Sequence, residues 1–200
     1  MRTSRVSHAR RAFLRQSGAV PPTLLLLALG RPGTSRAATV SPTPTCAGDH
    51  ESTPRQTAGP FFLPRSPERA SLLEPGIGGT RIVVTGRVMS TRCQPVPGAL
   101  LDFWHADDAG DYDVHGYRLR GHQFADSDGR YRLETIVPGV YPGRTRHFHV
   151  TVQAPNGRPL TTQMYFPGER QNAQDSLYDR RLLLTIDGDA HAARFDFVLA

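Results

Sequence analysis

The 200-residue chain is poor in cysteine, holding only Cys46 and Cys93. A disulfide between them would stabilise the fold by roughly 4 kcal/mol in the chain-entropy model, and two separate thiols fit the sequence equally well. Thr43 stands where a lipoprotein cysteine has leucine, which argues against lipidation of Cys46. Long apolar runs are also missing. Leu24 to Leu29 is too short to span a bilayer stably, and Pro21 and Pro22 break its N-terminal side. There is no internal repeat and no convincing long amphipathic helix. The first 38 residues contain no acid but hold seven of the 24 basic residues, leaving 17 arginines against 18 acids and a net charge of −1 beyond them. The overall charge of +6 is therefore a property of the leader and is not evidence for nucleic-acid binding.

The leader orders its residues as an export signal does. Arg10-Arg11-Ala12-Phe13-Leu14-Arg15 precedes the apolar run, and the small pair Ala37-Ala38 follows it. Paired arginines before Phe-Leu resemble a twin-arginine signal, so residues 1–38 are expected to direct export to the cell envelope or beyond. Residues 39–58, rich in Pro, Thr and Ser, are expected to form a linker or extended arm. Phe61 and Phe62 beside Gly59-Pro60 suggest that the arm is held against the domain.

The 19 glycines and 17 prolines imply many turns and favour an all-β domain over residues 59–200. Strands are expected at Arg81 to Met89, Ala99 to His105, Tyr131 to Thr135, Arg146 to Val152, Thr161 to Phe166, Arg181 to Ile186 and Arg194 to Leu199. About seven strands with regular turns suggest a single-domain β-sandwich. Between Ala106 and Gly129 the chain is polar and acidic, and its length suggests a functional loop. Asp126-Ser127-Asp128-Gly129 reads as a turn. No Glu stands at the twelfth position of an EF-hand loop there, and no helices flank it.

The most informative stretch is Tyr141-Pro142-Gly143-Arg144-Thr145-Arg146-His147-Phe148-His149. On a strand, His147 and His149 point to one face and can clamp a metal ion, or they are simply two hydrogen-bonded histidines. A cupin site would want a Glu a few residues on, and Val150-Thr151-Val152-Gln153-Ala154 has none.

The neighbours give the stretch its meaning. Thr57-Ala58-Gly59-Pro60-Phe61, Pro95-Val96-Pro97-Gly98-Ala99, Trp104-His105-Ala106 and Gly110-Asp111-Tyr112 occur in order. Asp128-Gly129-Arg130-Tyr131, Thr135 to Pro142, Arg144-x-x-His147-x-His149 and Thr161 to Phe166 follow. From about Thr57 to Phe166 the series resembles the intradiol ring-cleaving catechol dioxygenases.

That resemblance implies a prealbumin-like β-sandwich and a non-haem Fe(III) ion held by Tyr112, Tyr141, His147 and His149. Phenolate is a hard anionic donor suited to ferric iron, and a metal lowers the phenol pKa as it does that of bound water. It also implies a catechol-type small molecule and O2 as partners, with ring opening to a muconate-type diacid. Tyr141 would take one catechol proton, Arg144 would place positive charge beside the ring, and Gln163 would help position the reacting oxygen. Gly59, Pro60 and Arg144 would line the substrate pocket.

The chain departs from longer members in having only five residues between Tyr141 and His147 and a glycine, Gly143, after Tyr-Pro. Its N-terminal residues do not resemble the helical domain of the catechol-specific branch, so it is expected to group with the compact branch. A homo-oligomer and a secreted β-sandwich binding module without catalysis are both compatible with the sequence. Among the other aromatics, Tyr131, Tyr165 and Tyr178 are expected to pack, and Tyr117, His115 and His122 are pocket candidates. His105 reads as structural, His191 as solvated and Arg146 as non-catalytic.

Overall fold

The computed structural model describes residues 50–188 and 191–200. The export leader expected over residues 1–38, the first part of the arm and Cys46 lie outside the described residues. Cys93 is disulfide-bonded, and no described cysteine is free.

Among the described residues nine strands form two sheets: β1 (Arg81–Ser90), β2 (Leu100–Trp104), β3 (Arg120–Phe124), β4 (Arg130–Ile136), β5 (His147–Gln153), β6 (Leu160–Tyr165), β7 (Thr185–Asp187), β8 (Ala192–Arg194) and β9 (Phe197–Leu199). One sheet runs β4-β1-β8-β7, with β9 also on β1, and the other is antiparallel in the order β3-β2-β5-β6. Alternation explains how they stack. Ile82, Val84, Val88 and Leu133 from the first sheet meet Leu101, Phe103, Phe148, Val150 and Met164 from the second in one core. Phe103 and Tyr131 touch across it, with ring centroids 5.7 Å apart. The all-β sandwich is as expected.

The strand map differs from expectation in three places. The long polar loop contains β3, which sequence reasoning missed. This strand reads as loop because its one large apolar residue, Phe124, is 52% exposed, while Gly121 sits beneath Arg69 and Leu72. Arg181 to Ile186 is mostly not strand. Asp179 caps a 3-10 turn at Arg180–Leu182 by accepting the Arg181 N–H, Leu183 makes a single bridge to Tyr165, and only the end of the stretch is strand, as β7. Arg194 to Leu199 splits into β8 and β9. Asp196 Oδ1 accepts the Arg87 N–H at 2.8 Å between them, and Gly86 lets the chain pass so close that a Cβ there would lie 1.7 Å from the Phe195 carbonyl oxygen.

The outer face of the second sheet carries the site, and the arm covers part of it. Gln56 N–H donates to the Thr161 carbonyl and Thr162 Oγ1 donates to Pro54 O, so the arm protects the β6 edge. Among the described residues no helix is long and apolar enough to cross a membrane.

Buried His105 bears out its structural reading. Its ring nitrogens meet Ala106 O at 2.7 Å and Thr135 Oγ1 at 2.6 Å. Burial, the largest influence, pushes its pKa down from 6.5 to about 4. Between those values the unfolded chain binds more protons than the folded one, so stability falls as pH drops from about 6.5 towards 4. The expected loss in the metal-free protein is on the order of 3 kcal/mol from this one residue. Urea unfolding at stepped pH checks it, and His105→Gln should flatten the slope. An unchanged slope would refute the assignment.

Candidate metal centre

The site is built on one row across the second sheet. Trp104 of β2 lies opposite Arg120 of β3 and His149 of β5, and His149 lies opposite Gln163 of β6. Residues directly opposite point to the same face, so these four side chains share it. His147 joins them from two residues earlier on β5, opposite Tyr165. All six are nearly or fully buried.

The two imidazoles converge. Their Nε2 atoms are 3.1 Å apart, and the Tyr112 hydroxyl lies 3.4 Å from His147 Nε2. His147 Nδ1 donates to the Thr145 carbonyl at 2.6 Å, which fixes its tautomer and turns the Nε2 lone pair inward. His149 stacks on Trp104 at 5.0 Å with the planes 6° apart. Gly59 of the arm closes its edge, since a Cβ there would lie 3.4 Å from His149 Cε1 and φ is +67°. Tyr112 and Tyr141 flank Phe61, which stacks on Tyr112 at 4.6 Å and meets Tyr141 edge-on at 5.4 Å. The two phenol rings are 5.8 Å apart.

Electrostatics favours a cation here. Burial lowers the His147 pKa to about 4 and that of His149 well below 6.5, so both imidazoles are neutral donors at neutral pH. Burial pushes the Tyr112 phenol up to about 12 even with Arg144 and Arg120 nearby, so without a bound metal ion it stays protonated. His149 Nδ1 is buried with no hydrogen-bond partner. If that nitrogen carries the proton, two Nε2 lone pairs face each other at 3.1 Å. If Nε2 carries it, Nδ1 is a buried acceptor left empty. A metal ion between the Nε2 atoms removes the lone-pair repulsion, so the donor set fits one. Among the described residues no three His, Cys, Asp or Glu side chains are placed to hold a metal ion, and the Tyr112 hydroxyl is an oxygen donor beside the imidazole pair.

Arg144 stands beside these donors. Its Nε donates to Asp175 Oδ2 at 2.9 Å and its NH2 to Gln163 Oε1 at 2.7 Å. Burial would raise the Asp175 pKa, but N–H groups of Thr145 and Leu177 and the Arg144 guanidinium outweigh it and hold the carboxyl below its usual range. Gln163 Nε2 donates to Thr57 O at 3.1 Å, tying the arm to the site.

The structure therefore brings together Tyr112, Tyr141, Arg144, His147, His149, Gln163 and Gly59. Pro60 is exposed on the arm. Tyr165 was expected only to pack. In fact its hydroxyl lies 2.7–2.9 Å from Gln56 Oε1, Leu177 O and Gln163 Oε1, donating to one of the three at a time. Tyr178 packs edge-on against it, and Tyr131 is core. His122 bonds Ser66 O and Tyr117 donates to Pro64 O, so both are engaged elsewhere. His115 borders a cleft of about 570 Å³ that Tyr112 also lines. Arg146 pairs with Glu169 at 2.7 Å, and His191 is on the surface, as expected of it. Asp175, Trp104 and Arg120 were missed.

Residues 58–200 match the dioxygenase family model. The chain belongs to the intradiol dioxygenase family. It is 36% identical over 148 residues to the β chain of protocatechuate 3,4-dioxygenase from Burkholderia cepacia, covering 60% of this chain and 63% of that one. Hydroxyquinol 1,2-dioxygenase from Nocardioides simplex is 31% identical over 183 residues, covering 71% and 62%. Among solved structures, the dioxygenase domain of a dioxygenase carbohydrate-binding protein fusion from the cellulolytic bacterium Streptomyces sp. SirexAA-E superposes with a TM-score of 0.72 and 50% identity, covering 74% of this chain and 98% of that one. The chain spans about three-fifths of the length of the Burkholderia and Nocardioides relatives.

Proposed function

We propose that this intradiol dioxygenase is a non-haem Fe(III) enzyme, exported by the twin-arginine pathway, that opens a small catechol between its two hydroxylated carbons. Both oxygen atoms of O2 enter the product, a muconate-type diacid. The observation that carries the reading is the buried pair of neutral imidazoles at 3.1 Å, with an orphaned His149 Nδ1 and two phenols beside them.

Tyr112, Tyr141, His147 and His149 would hold the ion. Ferric iron supplies Lewis acidity and redox access that side chains lack. The protein's own residues do the rest. Tyr141 Oη takes up a catechol proton. Arg144 holds a fixed positive charge where negative charge develops on the ring. Gln163, held by Arg144, Tyr165 and Thr57, keeps its amide aligned toward the reacting oxygen. Trp104 and Phe61 exclude water around His149 and Tyr112.

A visible spectrum of purified protein with an iron assay, before and after anaerobic catechol addition, tests this. A red-brown tyrosinate band that shifts with catechol is expected. A protein that stays colourless after Fe(III) loading would refute the reading and leave a β-sandwich binding module.

A further inference from the structure

One buried carboxylate beside the site takes no part in the chemistry above. Asp175 has a side chain only 2% exposed, and three groups point at it. Its Oδ2 accepts from Arg144 Nε and from the Thr145 N–H, each at 2.9 Å, and its Oδ1 accepts from the Leu177 N–H at 2.9 Å. We propose, resting on the function proposed above, that Asp175 is a positioning residue which aims the Arg144 guanidinium at the bound ring and registers it to the imidazole pair.

The geometry supplies the reason. A guanidinium is a rigid planar fork, so two anchors on different nitrogens fix both its plane and its direction. Asp175 holds Nε and Gln163 holds NH2, and the Tyr165 hydroxyl also lies beside the guanidinium. The direction of the whole fork, and so of its remaining N–H groups, is therefore fixed. The carboxylate is itself referenced to the donor frame. It holds the Thr145 N–H, and the Thr145 carbonyl holds the His147 Nδ1 proton at 2.6 Å. Thr145 is further fixed by its Oγ1, which donates to Asn172 Oδ1 at 2.6 Å. A merely structural ion pair would staple the loop after β6 to the sheet. An aiming carboxylate does that and also makes the value of Arg144 depend on Asp175.

The two roles separate in a double-mutant cycle. Asp175→Asn should keep iron content and the tyrosinate band, yet lower kcat about 100-fold with a smaller change in KM, since a misdirected charge loses its transition-state contact. In an Arg144→Ala background the same change should alter kcat less than about threefold, because the residue it acts through is gone. Equal losses in both backgrounds, or full turnover in Asp175→Asn alone, would overturn the proposal. If Asp175→Asn does not fold, Arg144→Lys decides. It keeps the cation but not the fork, and should be as slow as Arg144→Ala; wild-type turnover there would overturn the proposal. A readout independent of catalysis is the Arg144 Nε–H resonance of the metal-free full-length protein. Slow solvent exchange in wild type and its loss in Asp175→Asn are expected. A rapidly exchanging wild-type Nε–H, or one still protected in the variant, counts against the inference even if iron and ring cleavage prove correct. Conversely, a wild type that holds no iron defeats the proposed function alone.

Discussion

His149→Ala is expected to leave the protein without iron and without visible colour. On the proposed reading it removes one of four donors, so retention of the ion should fall by more than the roughly 10–100-fold that changes in supporting residues cause. The fold should survive, because His149 faces away from the sandwich core and packs between Trp104 and Gly59. Removing it also removes the unsatisfied Nδ1 and the lone-pair contact with His147, so the metal-free variant should unfold no earlier than the metal-free wild type. Tyr112→Phe is the more conservative partner. It keeps the stack on Phe61 and deletes only the hydroxyl. That hydroxyl is held protonated by burial up to about pH 12, so the phenolate form exists here only by virtue of a bound cation. Iron titration followed at the tyrosinate band checks both variants. A Tyr112→Phe protein with the full wild-type band would show that Tyr112 is not a ligand.

How much of this was legible in the sequence depends on the range over which each residue acts. His147 and His149 are legible because strand period alone puts i and i+2 on one face. The core of β1, β2 and β5 is legible for the same reason. Tyr112 and Tyr141 lie outside strands, and no periodicity marks them; only the ordered motifs single them out. Asp175 is invisible at that level. It lies in a polar loop 31 residues from Arg144, and its burial is created by the fold. Tyr165 alternates as a strand aromatic should, so its hydroxyl's place against Gln163 depends on an arm more than 100 residues earlier in the chain. Strand β3 hides because its core-facing positions are Gly121 and Gln123, and Arg69 and Leu72 cover Gly121 in place of apolar side chains of the strand's own. Trp104 and Arg120 belong to a cross-strand row, which exists only once the register is known.

Arg144→Ala should behave in the opposite way to His149→Ala: iron and colour stay, and turnover is lost. Arg144 is not among the proposed donors, and none of its hydrogen bonds reaches them. The tyrosinate band, and its shift on anaerobic catechol addition, should therefore persist. What disappears is a positive charge fixed beside the ring in a site screened from water, where such charge acts far more strongly than in solution. Removing one preorganised group of this kind lowers kcat by about 10²–10³-fold. Some stability should go with it, since Asp175 would remain buried with only the Thr145 and Leu177 N–H groups to hold its charge. Thermal unfolding of the iron-loaded variant measures that loss separately from the kinetics. Steady-state oxygen uptake with a catechol, read beside the spectrum of the same sample, decides the matter. Loss of colour in step with loss of rate would mean that Arg144 acts on the metal donors and not on the ring, and the role assigned to it would have to be abandoned.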